Sequence, residues 1–260
     1  MSAFSDVDAS PRPQELVDYL DHAHTGLHAP KLRLQQGLPI RPGHRVLDLG
    51  CGSGHELARL EEDGAVAFGI DSSAVMLQAS HSRLTDDDLP ARLAQADGAR
   101  LPFRAGVFDA CRIERVLQHV ADPAAVLAEA RRVLRPGGVL GVCEPDWSSF
   151  TLASSLREAA AAVSAQVGAQ IAQRDIGRQL RRLLVGAGFG AIRVEVELAV
   201  YTGLDELDLI ISLRRAAERA CAAGSLTEHQ AEALLAEQRA LSDGGGFHAT
   251  LNRSVLAWAR

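Results

Sequence analysis

The segment VLDLGCGSG, residues 46–54, decides the fold of this 260-residue chain. Its first part is a short apolar stretch typical of a buried strand, and its second part places three glycines at alternate positions before a helical pattern begins. Glycine adopts positive φ angles and lets a ligand approach the backbone closely, which a side chain would prevent. Ligands of open α/β sheets bind at the carboxyl ends of the strands. The segment therefore predicts a strand, a ligand-binding loop and a helix, in that order.

Apolar segments alternate with helical patterns over the next hundred residues. Strands are predicted at residues 46–50, 65–71, 91–97, 107–113 and 139–147, and helices within residues 51–64, 72–84 and 121–138. Asp122 is the predicted N-cap of the last of these helices, which a Pro-Gly-Gly sequence ends. Continuous apolar strands separated by helices indicate a parallel sheet that is covered on both faces. Right-handed crossovers then favour an open, doubly wound α/β sheet.

The C-terminal third has a different pattern. Helices are predicted within residues 152–173 and 176–190, and two more around Gly224 within residues 204–242. Two segments of alternating apolar and polar residues, AIRVEVELAV and FHATLNRSVLAWA, predict the sixth and seventh strands at a solvent-bordering or antiparallel edge.

The N-terminal residues 12–38 predict two short helices, because Pro30 interrupts the helical pattern. We therefore predict one domain, residues 1–260, built on a mostly parallel seven-stranded sheet. It has an N-terminal helical segment (1–40), a core that carries the glycine loop (41–150), and a remainder (151–260) with the last strands and helical lid insertions.

Composition excludes several classes of function. A net charge of −6 provides no basic face for nucleic acid. No apolar run reaches the roughly 18 residues that a membrane span needs, and the polar, acidic start is unlike a secretory signal, so we expect a cytoplasmic protein. Four widely spaced cysteines and three histidines (His22, His24 and His28) that do not share one helical face predict no metal site and no disulfides.

Spacing and charge around the glycine loop separate two classes of cofactor. Dinucleotide loops have the pattern GxGxxG, whereas this loop has GxGxG, with His55 where the third glycine would fall. A carboxylate at Asp48 would repel a pyrophosphate, but it suits S-adenosylmethionine, whose sulfonium and ammonium outweigh one carboxylate. Asp71 and Asp97 end the next two predicted strands, where they suit the ribose hydroxyls and the adenine amino group. A helix cap explains any one of these acids equally well, but three at successive strand ends favour S-adenosylmethionine.

The ordered segments VLDLGCGSG, GID, QADGARLPF, FDACRIERVLQHVADP and RRVLRPGGVLGVCEPDW resemble the motifs of class I S-adenosylmethionine-dependent methyltransferases. The resemblance covers residues 44–147 closely, and Ile176–Phe189 and the final strand more loosely. Its nearest branch is similar to the ubiquinone/menaquinone-biosynthesis C-methyltransferases and to natural-product methyltransferases. It implies S-adenosylmethionine as cofactor, S-adenosylhomocysteine as product and a small-molecule acceptor.

The resemblance also implies which positions bind the cofactor. The glycine loop would lie against the methionine and ribose parts, Asp71 against the ribose, and the residues that follow the second and third strands against the adenine. A tyrosine in the N-terminal helix would close over the cofactor. The implied residues are Tyr19, Asp48, Gly50, Cys51, Gly52, Asp71, Ser72, Met76, Asp97, Gly98, Arg115 and Val116. Arg115 departs from the pattern, since many relatives have a smaller residue there, and it would pair either with the cofactor carboxylate or with the substrate.

Methyl transfer from a sulfonium is an in-line displacement that needs alignment and no metal. A base is required only where the acceptor must lose a proton. His119, after the fourth strand, is the candidate base, with ordering of its loop as the alternative. Asp146 is a second candidate for accepting a proton or orienting the substrate. Glu144, Trp147 and Arg174 are candidates for substrate binding, although packing for Trp147 and solvation for Arg174 explain them as well.

We therefore predict methylation of an O, N or C atom of a small molecule in secondary metabolism. RNA or protein methylation is disfavoured by the acidic charge and by ERVL, residues 114–117, in place of an NPPY-type sequence. An NAD(P)-dependent oxidoreductase and a catalytically silent cofactor-binding partner protein are the alternatives. No nucleic-acid or membrane partner is expected, and a homodimer stays open.

Overall fold

A computed structural model describes residue 4, residues 6–26 and residues 28–260, without the side chains of residues 19, 22–26, 28–29, 253 and 254. The described residues form ten helices and seven strands. In chain order these are α1 (Pro13–Gly26), α2 (His28–Gln36), β1 (Arg45–Leu49), α3 (His55–Glu62), β2 (Val66–Asp71), α4 (Ala74–Asp86), β3 (Leu93–Gln95), β4 (Phe108–Glu114), α5 (Pro123–Val133), β5 (Leu134–Leu152), α6 (Arg157–Gln166), α7 (Ile176–Gly186), β6 (Arg193–Tyr201), α8 (Leu204–Asp208), α9 (Leu213–Ala222), α10 (Glu228–Asp243) and β7 (Ala249–Ala259).

The strands form one sheet in the order β3-β2-β1-β4-β5-β7-β6. The pairs from β3 to β5 are parallel, whereas β7 pairs antiparallel with both β5 and β6. Only β7 therefore runs against the other strands, and the predicted mostly parallel, doubly wound sheet is confirmed. The chain order reverses between β1 and β4, and in such sheets a crevice for ligands opens at that point.

Alternate residues of β1 pack on opposite faces of the sheet. Val46 belongs to an apolar cluster with Leu34 of α2 and Leu57 of α3, whereas Leu47 belongs to a cluster with Leu127 of α5 and Leu180 of α7. Each face is therefore covered by helices, which explains why the central strands are apolar throughout.

A second apolar core lies beyond the ends of β5, β6 and β7. It joins Trp147 and Phe150 of β5 to the helices α6, α8, α9 and α10, with Leu207, Ala216 and Leu234 as buried members. The C-terminal helices therefore form a packed layer above one end of the sheet, where we predicted lid insertions. None of the described helices is long and apolar enough to cross a membrane.

The predicted Asp122 cap and the predicted division of the N-terminal helices are confirmed. The Asp122 carboxylate accepts hydrogen bonds from the amides of Ala124 and Ala125 at the start of α5, and the Ser73 hydroxyl accepts one from Met76 at the start of α4. The N-terminal helical segment is divided into α1 and α2, as predicted, and Pro30 lies in the first turn of α2. Proline is tolerated in a first turn because the amide it lacks would have no intrahelical partner.

Other boundaries were wrong. β5 continues to Leu152 instead of ending at residue 147, because its last residues pair with β7 after two register shifts. β7 is an interior strand and not an edge, since β6 pairs with its outer side. The helix predicted within residues 152–173 is confined to α6, and the segment 204–242 forms three helices instead of two.

Candidate active site

A cavity of about 810 Å³ lies at the carboxyl ends of β1, β2 and β4, beside the point where the strand order reverses. Its size falls within the roughly 300–1,000 Å³ that is usual for small-molecule sites. Eleven of the twelve predicted cofactor residues line it, together with His119. The side chain of the twelfth, Tyr19, lies outside the described part of the chain. The predicted substrate residues Glu144, Asp146, Trp147 and Arg174 are not among those that line it.

The glycine loop forms one wall of this cavity. Gly50, Gly52 and Gly54 have φ angles of 79°, 51° and 85°, in the left-handed region that disfavours other residues. A Cβ atom on Gly50 would also overlap the side chain of Val116. The backbone conformation of the loop therefore favours glycine at all three positions. At Gly50, the close approach of Val116 from the loop after β4 also leaves no room for a side chain.

Asp71 connects the end of β2 to the glycine loop. Its carboxylate accepts one hydrogen bond from the amide of Gly52 (3.0 Å) and one from the amide of Ser73 (2.9 Å). Burial raises the pKa of Asp71, against the effect of these hydrogen bonds. The Ser72 amide also acts on this carboxylate, so three amides address its roughly four acceptor positions and at least one position stays open for a ligand.

Asp97 follows β3 and lines the same cavity, but its side chain is exposed. One carboxylate oxygen accepts a hydrogen bond from the amide of Ala99 (2.9 Å), within a local turn. The second oxygen carries no hydrogen bond from the described residues of this turn. Asp97 therefore has two roles. Its carboxylate stabilises a local turn, similar to the capping role that the sequence left open, and it also lines the cavity.

A cluster of five charged side chains lies at the end of the cavity beside β1 and β4. Arg112 contacts Glu114 (2.8 Å), Asp48 (3.3 Å) and Glu56 (3.5 Å), and Lys31 lies 3.6 Å from both glutamates. We call these five residues the charge cluster. Three carboxylates against two cations give it a formal charge of −1.

The charge cluster changes the electrostatic argument made from sequence. We treated Asp48 as an isolated carboxylate, but the structure pairs it with the buried Arg112. Burial raises the pKa of Asp48 to about 6, and Arg112 opposes that shift. The excess negative charge therefore belongs to the cluster as a whole and not to Asp48 alone.

The N-terminal segment covers the cavity. Phe4, Val7 and Leu20 contribute to its lining. Asp8 accepts hydrogen bonds from the Ser73 hydroxyl and from the amide of Ala74 (2.9 Å), at the start of α4. A carboxylate is favourable there because unpaired amides and the helix dipole concentrate positive charge.

A second acid attaches α1 itself to the glycine loop. Asp21 accepts a hydrogen bond from the Ser53 hydroxyl (2.8 Å), and lies 2.9 Å from both the His55 Nε2 and an Arg83 nitrogen. The pKa of Asp21 is lowered by these partners, although burial opposes them. Helix α1, which carries Tyr19, is therefore fixed directly over the glycine loop.

A buried carboxylate holds the loop after β4. One oxygen of Glu144 accepts hydrogen bonds from the amides of Val116 (2.8 Å) and Leu117 (2.6 Å). Glu144 is fully buried, and burial raises its pKa to about 8. Arg115, immediately before these amides, has a φ of 58°, which a residue with a side chain rarely adopts. Glu144 thus stabilises a strained turn and does not contact the cavity.

Gln118 connects the same loop to the second apolar core. Its side chain accepts a hydrogen bond from the Trp147 indole (2.8 Å) and donates one to the carbonyl of Arg115 (3.1 Å). The main chains of Trp147 and Arg174 are also joined (2.9 Å), and the Arg174 guanidinium donates to the carbonyl of Ala165 (2.8 Å). Trp147 and Arg174 therefore support the wall of the cavity from behind.

Asp146 forms a different contact from the one expected. It is buried, and its carboxylate accepts a hydrogen bond from Arg178 of α7 (2.9 Å). The arrangement joins β5 to α7 on the side of the sheet that belongs to the first apolar core. The structure therefore does not bring Asp146 together with His119 in the cavity lining.

His119 lines the same cavity, and its ring lies 5.6 Å from that of Phe4. Its Nδ1 is buried and has no hydrogen-bond partner among the described residues. Burial lowers the pKa of His119 to about 4, and the positive charge of Arg115 adds to that shift. The imidazole is therefore neutral at physiological pH.

Comparisons with known proteins agree with this geometry. A family model described as a methyltransferase domain matches residues 47–142. An uncharacterised 37.1 kDa protein in transposon TN4556 of Streptomyces fradiae is 40% identical over 250 residues, which are 92% of this chain and 70% of that protein. The demethylmenaquinone methyltransferase of Corynebacterium kroppenstedtii is 42% identical over 107 residues, which are 41% of this chain and 44% of that enzyme.

The chain belongs to the class I S-adenosylmethionine-dependent methyltransferases. The fold of the phosphoethanolamine N-methyltransferase 2 of Haemonchus contortus, solved with S-adenosylhomocysteine, is similar at a TM-score of 0.60 and 17% identity, covering 100% of this chain and 60% of that one. That likeness concerns the fold alone. The match to the demethylmenaquinone methyltransferase spans less than half of that enzyme.

The residues of this methyltransferase fit its cofactor. A glycine wall without side chains, a carboxylate with an open hydrogen-bond position at Asp71 and a charge cluster with both signs suit an adenosyl group that ends in a zwitterionic amino acid. A dinucleotide would bring a pyrophosphate against a cluster of net negative charge. This disfavours the oxidoreductase alternative.

Sequence reasoning missed four members of the site: Lys31, Glu56, Arg112 and Glu114. One signal was available for Arg112, since it stands inside the otherwise apolar segment FDACRIE, where a charge must be paired. Lys31 is the only lysine of the chain, but nothing in its helical surroundings indicated that it would contact the glutamates.

Proposed function

We propose that this methyltransferase transfers the methyl group to an O, N or C atom of a small molecule in secondary metabolism. The observation that carries the proposal is a cavity whose lining joins the glycine loop to the loop after β4 and to residues of the N-terminal segment. A covered cavity of this size suits a compact acceptor and offers no groove for a polymer. The net charge of −6 also disfavours RNA as acceptor.

For the cofactor, we propose that Asp71 binds the ribose hydroxyls, and that Ser72, Met76, Asp97 and Gly98 surround the adenine. All five line the cavity at the ends of β2 and β3. Asp71 has an open acceptor position for a ribose hydroxyl, and Met76 is a buried apolar neighbour for a ring. Asp97 has an exposed carboxylate beside them for an amino group.

For the methionine part, we propose the charge cluster and the loop residues Gly50, Cys51, Gly52 and Val116. Carboxylates of the cluster suit the ammonium group, and Lys31 suits the carboxylate. Because both signs are already in place and buried, the cluster would reorganise little when the zwitterion binds.

The bound cofactor supplies a methyl group that the sulfonium already activates. The protein then contributes alignment and the exclusion of water, which are worth several kcal/mol of barrier. The N-terminal segment excludes water by covering the cavity, and the fixed loop after β4 sets the position of His119. His119 is unprotonated at neutral pH, so it would accept a proton from the acceptor only while the methyl group is transferred.

Four predicted substrate residues take a supporting role in this proposal. Glu144 and Trp147 hold the loop after β4, Arg174 holds the segment that carries the lining residue Ala172, and Asp146 joins β5 to α7. We therefore propose that they shape the acceptor site from outside. His119 remains the candidate base.

The proposal includes a cytoplasmic location, which the four free cysteines support. It also leaves a homodimer open, since edge strand β6 exposes the apolar side chains of Val194, Val196, Leu198 and Val200. Sedimentation of the purified protein decides the second point.

Asp71→Ala tests the cofactor assignment. We expect the variant to bind S-adenosylhomocysteine at least tenfold more weakly in titration calorimetry, because the ribose contact and the brace to Gly52 are lost. Asp87→Ala, an exposed acid beyond α4, is the matched control and should bind like the wild type. Unchanged affinity in Asp71→Ala would remove the ribose assignment.

A turnover assay distinguishes a methyltransferase from a catalytically silent cofactor-binding partner protein. A methyltransferase releases S-adenosylhomocysteine from S-adenosylmethionine when it is incubated with a small-molecule extract of its own producer cells. A silent binding protein binds both compounds and releases no product from any extract.

A further inference from the structure

The charged side chains that line the cavity fall into two groups. Five acids belong to the ends of β1, β2 and β4, to the start of α3 and to the turn after β3: Asp48, Glu56, Asp71, Asp97 and Glu114. A second group of lining residues comes from the loop after β4 and from two other segments: Arg115, Val116, His119, Val120, Ala121, Phe4 and Ala172. None of these seven residues is acidic, and Arg115 brings their only formal charge.

Arg115 forms no direct ion pair within the described part of the chain, although its charge is near enough to the buried Glu144 to lower the pKa of that carboxyl. Its amide donates to the carbonyl of Cys143 (2.9 Å), and its carbonyl accepts from Gln118, so the backbone on both sides is fixed. Its φ of 58° is strained, and strained residues persist where their surroundings over-determine them, often at functional sites. Among the described residues, none forms an ion pair or hydrogen bond with its guanidinium. Arg112, three residues earlier, has three carboxylate partners.

His119 belongs to the same group of lining residues. Its Nδ1 is buried and has no hydrogen-bond partner within the described chain. The ring is neutral at physiological pH, because burial and the charge of Arg115 both lower its pKa. One cation and one neutral imidazole thus stand in a group whose other lining residues are apolar.

We infer, on the basis of the proposed function, that the methyl acceptor binds as an anion, with its negative group paired to Arg115 beside the neutral imidazole of His119. Carboxylates and acidic phenols or enols have this chemistry. An arginine fork binds a carboxylate through two parallel hydrogen bonds. Pairing would also keep an acidic hydroxyl ionised, and His119 would then act as base only for an acceptor that arrives protonated.

The competing role for Arg115 is to bind the carboxylate of the cofactor. The charge cluster weighs against it, because Lys31 already places a cation next to carboxylates that suit the ammonium group. The cluster alone therefore has a charge of each sign for the amino acid end of the cofactor.

Benzoate and benzamide are a matched pair of probes, since they differ in charge and hardly in size. We would measure their dissociation constants for the protein saturated with S-adenosylhomocysteine, by ligand-observed NMR titration. The wild type should bind benzoate at least tenfold more tightly than benzamide. Arg115→Met should remove that preference and Arg115→Lys should retain part of it. Arg104→Met, at an exposed arginine outside the cavity, should behave like the wild type.

The affinity for S-adenosylhomocysteine, measured in the same variants, separates the outcomes. Loss of the benzoate preference with cofactor affinity within about threefold of the wild type supports the inference. A tenfold loss of cofactor affinity in Arg115→Met assigns Arg115 to the cofactor and overturns it, as does equal binding of both probes to the wild type. Failure of the wild type to bind S-adenosylhomocysteine would instead overturn the proposed function.

Discussion

Arg112 is the residue on which the site depends most. It is buried in β4 and contacts three carboxylates of the charge cluster, two of them on neighbouring elements. A buried charge is tolerated only when it is paired, and breaking one such pair leaves its partner uncompensated. The buried charges of the cluster therefore depend on one another, since removal of one leaves another without its counter-ion.

Arg112→Met should destabilise the protein by about 3–5 kcal/mol at neutral pH, since three buried carboxylates would keep only Lys31 as a counter-ion. The deficit should shrink as the pH falls toward 5, because protonation removes the unpaired charges. Urea denaturation at pH 5.5 and pH 8 measures both effects, with Arg104→Met as the control. A deficit below 1 kcal/mol at pH 8 would contradict the role of Arg112.

Glu144 gives a second prediction, on the pH dependence of stability. Its pKa rises from an ordinary 4.5 to about 8 on folding, so the folded state binds more protons between these values. This contribution to stability is present below pH 4.5 and is lost as the pH rises through 8. Glu144→Gln keeps the acceptor oxygen but does not titrate.

We therefore expect the stability of Glu144→Gln, relative to the wild type, to increase from pH 5 to pH 8.5. Denaturant titrations at four pH values measure the difference in free energy of unfolding between the variant and the wild type. The other titrating groups contribute equally to both proteins, so their effects cancel in this difference. A relative stability that stays constant over this range would show that Glu144 is not a buried titrating group.

For individual residues, the sequence predicted which positions line the cavity but not which side chains those residues contact. Asp48, Asp71 and Gly50 were found because strand ends and glycine spacing are local features. The Arg112 and Glu144 contacts join residues 64 and 28 positions apart, respectively, and only the three-dimensional packing brings those pairs together. Asp146 was expected to accept a proton or orient the substrate, but in the structure its carboxylate accepts a hydrogen bond from Arg178 of α7.

Among the structural elements, the N-terminal segment is attached to the rest of the fold by a small number of contacts. α1 is attached to the glycine loop by Asp21, and residues before α1 are attached to α4 by Asp8. Both attachments use a few polar contacts above small apolar patches, so they are weaker than the central sheet. We therefore expect the segment to lose its contacts more easily than the sheet does.

Asp21→Ala should loosen this cover. We expect S-adenosylhomocysteine to bind three- to tenfold more weakly and α1 to lose protection in amide hydrogen exchange, because Ser53, His55 and Arg83 all lose their contact. The exposed Glu15→Ala on the same helix is the control. Protection of β1 and β4 should not change, and unaltered exchange in α1 would contradict the attachment.

At this scale the sequence was sufficient for β1 to β4, whose apolar runs are bounded by glycine, proline or aspartate. It failed for β5 and for the helices α8, α9 and α10. β5 extends to Leu152 because β7, about a hundred residues later, continues the pairing. The additional helix boundary near residue 210 has no glycine or proline to mark it.

The molecule as a whole combines a sheet, whose cavity lies at the carboxyl ends of its strands, with a layer of C-terminal helices. The sequence pattern of these helices differs from the strand and helix alternation of the first 150 residues. The observed sheet order makes β1, β2 and β4 neighbours, so their carboxyl ends lie side by side next to the glycine loop. The C-terminal helices pack around Trp147, whose indole reaches the loop after β4 through Gln118. That the entire chain folds as one unit stays a prediction, which a single cooperative unfolding transition would support.

The central claim is that the glycine loop and its surrounding carboxylates select a cationic adenosyl ligand over an anionic dinucleotide. Parallel calorimetric titrations of the wild type with S-adenosylmethionine and NAD⁺ test it most directly. We predict one-to-one binding of S-adenosylmethionine at micromolar concentration and no saturable heat with NAD⁺ up to a hundredfold higher concentration. Saturable binding of NAD⁺ without binding of S-adenosylmethionine would contradict the account.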